Sequence, residues 1–274
     1  MIIGCGPYIG SFEQEILTFM PYSRWLSGAV DYNDIYLNTH KDRMWLYDFI
    51  PDDNKIPIET ELSKDIKNQR GYINKNLSVK KYQELVKSFR DDIIIKANCN
   101  KKDIKLYYLN YIKSCPPYSI YNKIFSSLPV ENAYLDGIGK LTYIPHISGD
   151  KKLVYKVNDY IKKNYDYIII GDYDIYLKEF NTLLRNYDGF NNSWKYMINY
   201  ISKARAVICP LSFWTTICNL QSTPVFSWGE YVGQHKKDGI YYFNNNKSLI
   251  VPYNNILDGN KVISMMEYFI KEYI

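Results

Sequence analysis

Ser212, Thr215 and Thr216 stand directly behind a short apolar run, Ala206-Val207-Ile208-Cys209, which Pro210 closes. A brief, wholly apolar run of this kind reads as a strand covered on both faces, as in the middle of a parallel sheet. Ser212 is then placed to cap the helix that carries Thr215, Thr216 and Ile217, because a serine oxygen can accept a free N–H of the first turn. The start of a helix presents unpaired N–H groups and a partial positive charge, so it seats anions. In open α/β sheets ligands bind where strands end and such helices begin. A nucleotide diphosphate is an anion that the Leu211 to Thr216 turn suits.

Other constellations carry less. Gly4, Gly6 and Gly10 are spaced G-x-G-x-x-x-G, one residue off the dinucleotide fingerprint. No acidic residue closes a second strand at the distance that fingerprint requires, which disfavours a nicotinamide-dependent oxidoreductase. His40, His146 and His235 are scattered, and no G-x-S-x-G nucleophile elbow occurs. The five cysteines are an odd number without C-x-x-C spacing, which fits reduced thiols in a cytoplasmic protein.

The elements that must position these residues follow from periodicity. Met197, Ile198, Ile201 and Ala204 share one face of a helix before the apolar strand. Pro224 to Ser227 reads as the next strand, and Trp228-Gly229-Glu230 as the turn leaving it. Upstream, Leu141 to Ile147 reads as a strand, Ser148 to Lys152 as a polar turn, and the chain to Asn164 as a helix. Tyr167 to Gly171 is the clearest strand of all. Asn260 to Ile274 is a last amphipathic helix, with Val262, Ile263, Met266, Phe269 and Ile270 on its face.

The first half alternates similarly. Met1 to Cys5 is a strand. Ser11 and Gln14 have capping-box spacing for a helix through Trp25, and Asp34 to Asn38 is a second strand. Pro51 to Gly71 reads as a loop with a short helix. Ser78 to Arg90 reads as a helix with Val79, Tyr82, Leu85, Val86 and Phe89 inward. Ile93-Ile94-Ile95 reads as a buried strand, Lys105 to Ile112 as another, and Tyr118 to Leu128 as a helix. Strand–helix alternation of this kind builds a parallel α/β sheet.

A chain of 274 residues has room for two modest domains. Its 46% apolar and 23% charged content is globular. No apolar run approaches the ~20 residues of a membrane span, and the N-terminus lacks the regions of a signal peptide. The net charge of +5 permits an anionic partner without requiring one. Abundant Tyr, Asn, Lys and Ile point to an AT-rich genome, as in phages, large viruses and some bacteria.

The stretch Tyr196 to Glu230 resembles the nucleotide-sugar half of GT-B glycosyltransferases of the heptosyltransferase-like kind. The matching phrases are I-x-x-A at Ile201 to Ala204, the Ser-containing loop, T-P-V at Thr223-Pro224-Val225 and W-G at Trp228-Gly229. The opening is similar to phage and bacterial glycosyltransferases that begin G-P-[WY]-[IV]-G-E-F-G-W-E-L. Gly6-Pro7-Tyr8-Ile9-Gly10, Phe12 and Glu15 fit that motif, while Ser11 and Glu13 depart from it. Arg43 to Phe49 resembles the LY-x-D-F helix of the same proteins, in the same order along the chain.

The resemblance implies a GT-B-like α/β fold of two Rossmann-like parallel-sheet domains facing a cleft. Residues 1–139 would bind the acceptor and 140–259 the nucleotide sugar, with the terminal helix, 260–274, packing back on the first domain. It further implies an inverting enzyme with a nucleotide-sugar co-substrate and no cofactor or metal. The implied base is Glu15 or Glu13, which a helix would turn to roughly opposite faces, with Glu15 narrowly preferred. Donor-binding candidates are His146, Ser148, Lys151, Lys152, Gly171, Ser212, Thr215, Thr216 and Trp228. Acceptor-binding candidates are Tyr8, Gly10 and Ser11. Asp172-Tyr173-Asp174 has the letters of a metal-binding D-x-D motif, but in the half where the GT-B setting does not use one.

The acceptor expected from the phage-like opening is a hydroxylated or hydroxymethylated pyrimidine in DNA. The basic charge and Tyr107, Tyr108, Tyr111, Tyr118 and Tyr121 suit contact with DNA or a flipped base. The alternatives are a cell-surface glycan or other saccharide acceptor, and a non-catalytic binding protein that kept the fold and lost the base.

Overall fold

The computed structural model describes residues 1–10, 15–58, 79–108, 139–145, 151–170, 190–230, 247–253 and 258–274. The chain divides into two compact units, Met1–Phe125 and Ser126–Ile274. Each unit holds a parallel sheet of its own. Among the described residues no helix is long and apolar enough to cross a membrane.

In the first unit the strands are β1, Ile2–Cys5; β2, Ile35–His40; β3, Lys55–Ile58; and β4, Ile104–Tyr107. They lie in the order β3-β2-β1-β4. A π-helical turn, Glu15–Phe19, leads into α1, Met20–Ser27, and α2 spans Val79–Ala97. Phe89 and Ile93 of α2 pack on Ile2, Tyr36, Ile56 and Leu106 of the sheet. The close approach explains Gly4: a Cβ there would lie 2.4 Å from Leu106 and 2.8 Å from Ile93.

Two expectations are corrected here. The isoleucine run is not a strand but the last turns of α2. Wound into a helix the three side chains fan out, so Ile93 is buried one turn beyond Phe89 whereas Ile95 is 77% exposed. Val79, expected inward, is 75% exposed. In turn, β3 falls where a loop was expected. Its signal was masked by Pro57, which an edge strand tolerates because that strand need not donate along its whole length.

The second unit contains β5, Leu141–Tyr143; α3, Lys151–Asn164; β6, Tyr167–Ile169; and α4, Phe190–Lys203. After these come β7, Ala206–Pro210; α5, Phe213–Leu220; β8, Val225–Glu230; β9, Ser248–Tyr253; and α6, Gly259–Tyr273. The strand order is β6-β5-β7-β8-β9. Leu153, Val157 and Ile161 of α3 join Val262, Met266, Phe269 and Ile270 of α6 over Tyr143, Ile208, Phe226 and Trp228. The apolar face of the terminal helix is thus engaged by the core of its own unit.

Three details differ from the sequence reading. The Tyr167 strand, expected to run to Gly171, is a three-residue, half-buried edge strand that ends at Ile169. Trp228-Gly229-Glu230 does not turn away but continues β8, where it pairs with β9. The strand β9 was not anticipated, although Ser248-Leu249-Ile250-Val251 carries its apolar signal. The Ser11–Gln14 capping box, the Tyr118–Leu128 helix and the far end of the Lys105–Ile112 strand lie outside the described residues.

Candidate functional site

Strand order selects one place in each unit. Numbered within the second unit its sheet runs 2-1-3-4-5, so β5 and β7 are neighbours whose connections leave in opposite directions. Such a switch point opens a crevice at the carboxyl ends of the two strands, and that is where open α/β sheets bind ligands. In the first unit the switch falls between β1 and β4.

At the second unit's switch point β7 ends at Pro210 and α5 begins after Ser212, whose extended backbone (φ −162°) turns the chain into the helix. Ser212 and Thr215 stand in the reciprocal capping-box arrangement. Thr215 Oγ1 accepts from the Ser212 N–H at 3.3 Å. Ser212 Oγ is buried and has no hydrogen-bond partner among the described residues. Thr215 is committed to the core, with its hydroxyl 2.9 Å from Ser227 Oγ. Cys209 Sγ lies 3.4 Å from the same Ser227 oxygen, and burial pushes the Cys209 thiol up to about 11, so it is inert at neutral pH. Thr216 is also fully buried, and its hydroxyl has no partner among the described residues.

The remaining donor candidates divide. Trp228 has no exposed surface and packs 6.1 Å from Phe226 in the core, so neither face of its ring is open for a base to stack on. Lys152 is exposed on the first turn of α3, the helix that follows β5 in the chain. His146, Ser148, Gly171 and the Asp172–Asp174 motif lie outside the described residues, as does the side chain of Lys151.

At the first unit's switch point the chain leaves β1 through Gly6 and a cis Gly6–Pro7 bond. The Gly6 N–H donates to Tyr107 O of β4 at 2.8 Å, and the Tyr8 N–H to Asn38 O of β2 at 2.9 Å. Gly6 has φ +119°, and a Cβ there would stand 2.2 Å from Asn38 O, so only glycine fits. Tyr8 is fully buried, its ring stacked on Phe19 at 4.6 Å. Its hydroxyl lies 2.4 Å from where a Gly10 Cβ would be. Ser11 and Glu13 lie outside the described residues.

Glu15 has no exposed surface. Its Oε1 accepts from Thr39 Oγ1 at 2.5 Å and from the Tyr47 hydroxyl at 2.8 Å. Its Oε2 accepts from Arg43 Nη1 at 2.9 Å, and the same nitrogen donates to Gly10 O at 2.8 Å. Burial pushes the Glu15 carboxyl above the ordinary glutamate value, against the pull of the Arg43 charge and of the three side-chain donors. Tyr47 is raised well above its usual value by burial and by Glu15. A carboxylate so enclosed has no path to the hydroxyl of an incoming acceptor. Within reach of the Arg43 charge, His40 is held down to about 3 by burial and by that charge, and its Nε2 is buried without a partner among the described residues.

The chain is similar over its whole length to solved glycosyltransferases. A glycosyl transferase family 9 protein of Veillonella parvula matches at TM-score 0.55 and 10% identity, covering 99% of this chain and 97% of that one. E. coli heptosyltransferase WaaC with ADP matches at TM-score 0.53 and 9% identity, over 98% of this chain and 99% of that one. WaaC with ADP-2-deoxy-2-fluoro heptose matches at TM-score 0.50 and 8% identity, over 97% and 98%. The fold is GT-B-like. No protein-family model matches the sequence, and no curated protein matches it.

In this GT-B-like chain the matching phrases turn out to be joints. Thr223 Oγ1 of the T-P-V phrase donates to Ile201 O of the I-x-x-A phrase at 2.8 Å, joining the Ala204 N–H that the same carbonyl accepts at 3.3 Å at the end of α4. Gly229 of the W-G phrase has no room for a Cβ, which would lie 2.6 Å from Leu211 Cβ. The Tyr47–Glu15 bond ties the LY-x-D-F phrase to the opening motif. Arg24 then holds the remainder, 2.7 Å from Asp48 and 4.7 Å from the Phe49 ring centre. Thr39, His40 and Arg43 were missed as site residues, because nothing in the sequence pairs them with Glu15 until β2 is laid beside β1.

Proposed function

We propose that the chain is a glycosyltransferase that moves a sugar from a nucleoside-diphosphate donor to a hydroxyl acceptor. The observation that carries this reading is the whole-length likeness to glycosyltransferases, one of them in complex with ADP. The seat for an anion at the start of α5 supports it independently. An ADP-sugar is the first donor to try. The donor site is assigned to the second unit, to Ser212 and the first-turn N–H groups of α5. His146, Ser148, Lys151, Lys152 and Gly171 follow the neighbouring strand ends and are assigned to the same site.

The chemistry is a single inverting displacement. The acceptor oxygen loses its proton to a carboxylate and bonds to the anomeric carbon as the bond from that carbon to the diphosphate oxygen breaks. The departing charge is met by a helix N-terminus, basic side chains and hydroxyls, so the reading requires no metal. The base is assigned to Glu13, with Gly10 and Ser11 beside it on the acceptor side of a cytoplasmic enzyme. Glu15 is already occupied by three donors.

The acceptor assigned is a saccharide hydroxyl, which the heptosyltransferase neighbours support. The hydroxylated pyrimidine of phage DNA has less behind it. Tyr107 and Tyr108, two tyrosines suited to DNA, are held in aromatic contacts with Tyr22 and Tyr82 at 5.9 and 6.1 Å. The test is thermal denaturation with a panel of nucleotide sugars and NAD, since a native-state ligand at a hundred times its Kd adds about 2.7 kcal/mol. A nucleotide sugar, and not NAD, should raise Tm. Transfer is then assayed on oligosaccharides and on hydroxymethylated duplex between about 50 and 200 mM salt, where a DNA acceptor would lose activity steeply. A protein that binds the donor and never turns it over is the non-catalytic alternative.

A further inference from the structure

We infer that Arg43 is a positioning residue for the loop that leaves β1, an inference that rests on reading this end of the first unit as the acceptor side. The loop is tethered at alternate residues. Gly6 is held to β4 and Tyr8 to β2 by backbone bonds, which the fold supplies whatever the side chains. Gly10 is held by a side chain, Arg43 Nη1, at 2.8 Å. The same nitrogen reaches Glu15 Oε2 at 2.9 Å, so one guanidinium grips the chain on both sides of residues 11–14. Arg43 is 4% exposed and Glu15 not at all.

Glu15 is fixed in turn by Thr39, near the end of β2, and by Tyr47, just past the 3₁₀ turn Lys41–Leu46. The clamp therefore refers the loop to β2. A planar guanidinium suits this task because its donors point in fixed directions, whereas a lysine carries its charge on a flexible stem. Gly10 is the tether that a single side chain controls.

The test is amide hydrogen exchange over Gly6–Gly10 together with steady-state kinetics, for wild type, Arg43→Lys and the double variant Arg43→Met with Glu15→Gln. The double variant removes both buried charges together, so it is the one expected to stay folded. The expected result is a cooperative melt, exchange over the loop faster by about tenfold or more, and kcat lower by about a hundredfold through misplacement. KM for the donor should change less than about threefold, because the donor is assigned elsewhere. Arg43→Lys should fall between wild type and the double variant. Unchanged exchange and kcat in the folded double variant would overturn the inference and leave Arg43 as a counter-charge to Glu15. Should wild type consume no nucleotide sugar, the glycosyltransferase reading fails, and the exchange comparison alone still decides whether the clamp exists.

Discussion

Ser212 separates a structural from a functional part by one substitution. A serine that caps a helix loses about 1 kcal/mol when replaced by alanine. Here Oγ makes no bond among the described residues, so Ser212→Ala should leave the urea midpoint of the free protein nearly unchanged. If that oxygen is kept for the donor's diphosphate, the same change should weaken ADP binding about tenfold or more, the worth of a hydrogen bond to a charged group, as calorimetry would read. Glu15→Gln should instead cost stability, about 3–5 kcal/mol, because it strands Arg43 as a buried, uncompensated charge. Denaturant unfolding measures this, and adding Arg43→Met should recover much of the loss. His40 sets a pH dependence of definite sign. Its folded value of about 3 lies below its unfolded value, so the unfolded chain takes the proton first. Stability is then full above pH ~6.5 and falls as pH drops toward the folded value, by up to ~1.4 kcal/mol per unit. Unfolding curves for wild type and His40→Asn between pH 7.5 and 5 (about two units below neutrality) should converge as the wild type loses this contribution.

Whole elements show what a sequence can and cannot display. The strand–loop–helix–strand from Ala206 to Ser227 is legible because a run covered on both faces is apolar whatever its partners, and because Pro210 and Ser212 mark its end. The edge strands β3 and β9 were harder, since an edge tolerates the proline and polar residues that usually signal a loop. The isoleucine run in α2 misled for another reason: three β-branched residues favour a strand locally, yet Ile93 repeats the Phe89 position one helical turn on, and packing decides. Joints between elements are invisible in one dimension. Thr223 is only the first letter of the T-P-V phrase until α4 is seen to end beside it. Thr223→Val should remove its bond to Ile201 O and lower stability by about 1 kcal/mol, by urea denaturation.

For the molecule as a whole, strand order says where in each unit a ligand would be sought. Two parallel sheets, each with its own switch point, put the start of α5 at one in the second unit and a clamped loop at the other in the first. The fold class and the start of α5 behind β7 were readable from the sequence. The role of Glu15 was not, because its burial depends on Thr39, Arg43 and Tyr47 arriving from later in the chain. The measurement that tests sugar transfer most directly is release of nucleoside diphosphate from a nucleotide sugar, with and without a saccharide acceptor. Wild type should release it in an acceptor-dependent manner, and Glu13→Gln should be slower by about 10²–10⁴, the usual worth of a general base. No release with any donor and acceptor pair, from protein that melts cooperatively, would contradict the assignment.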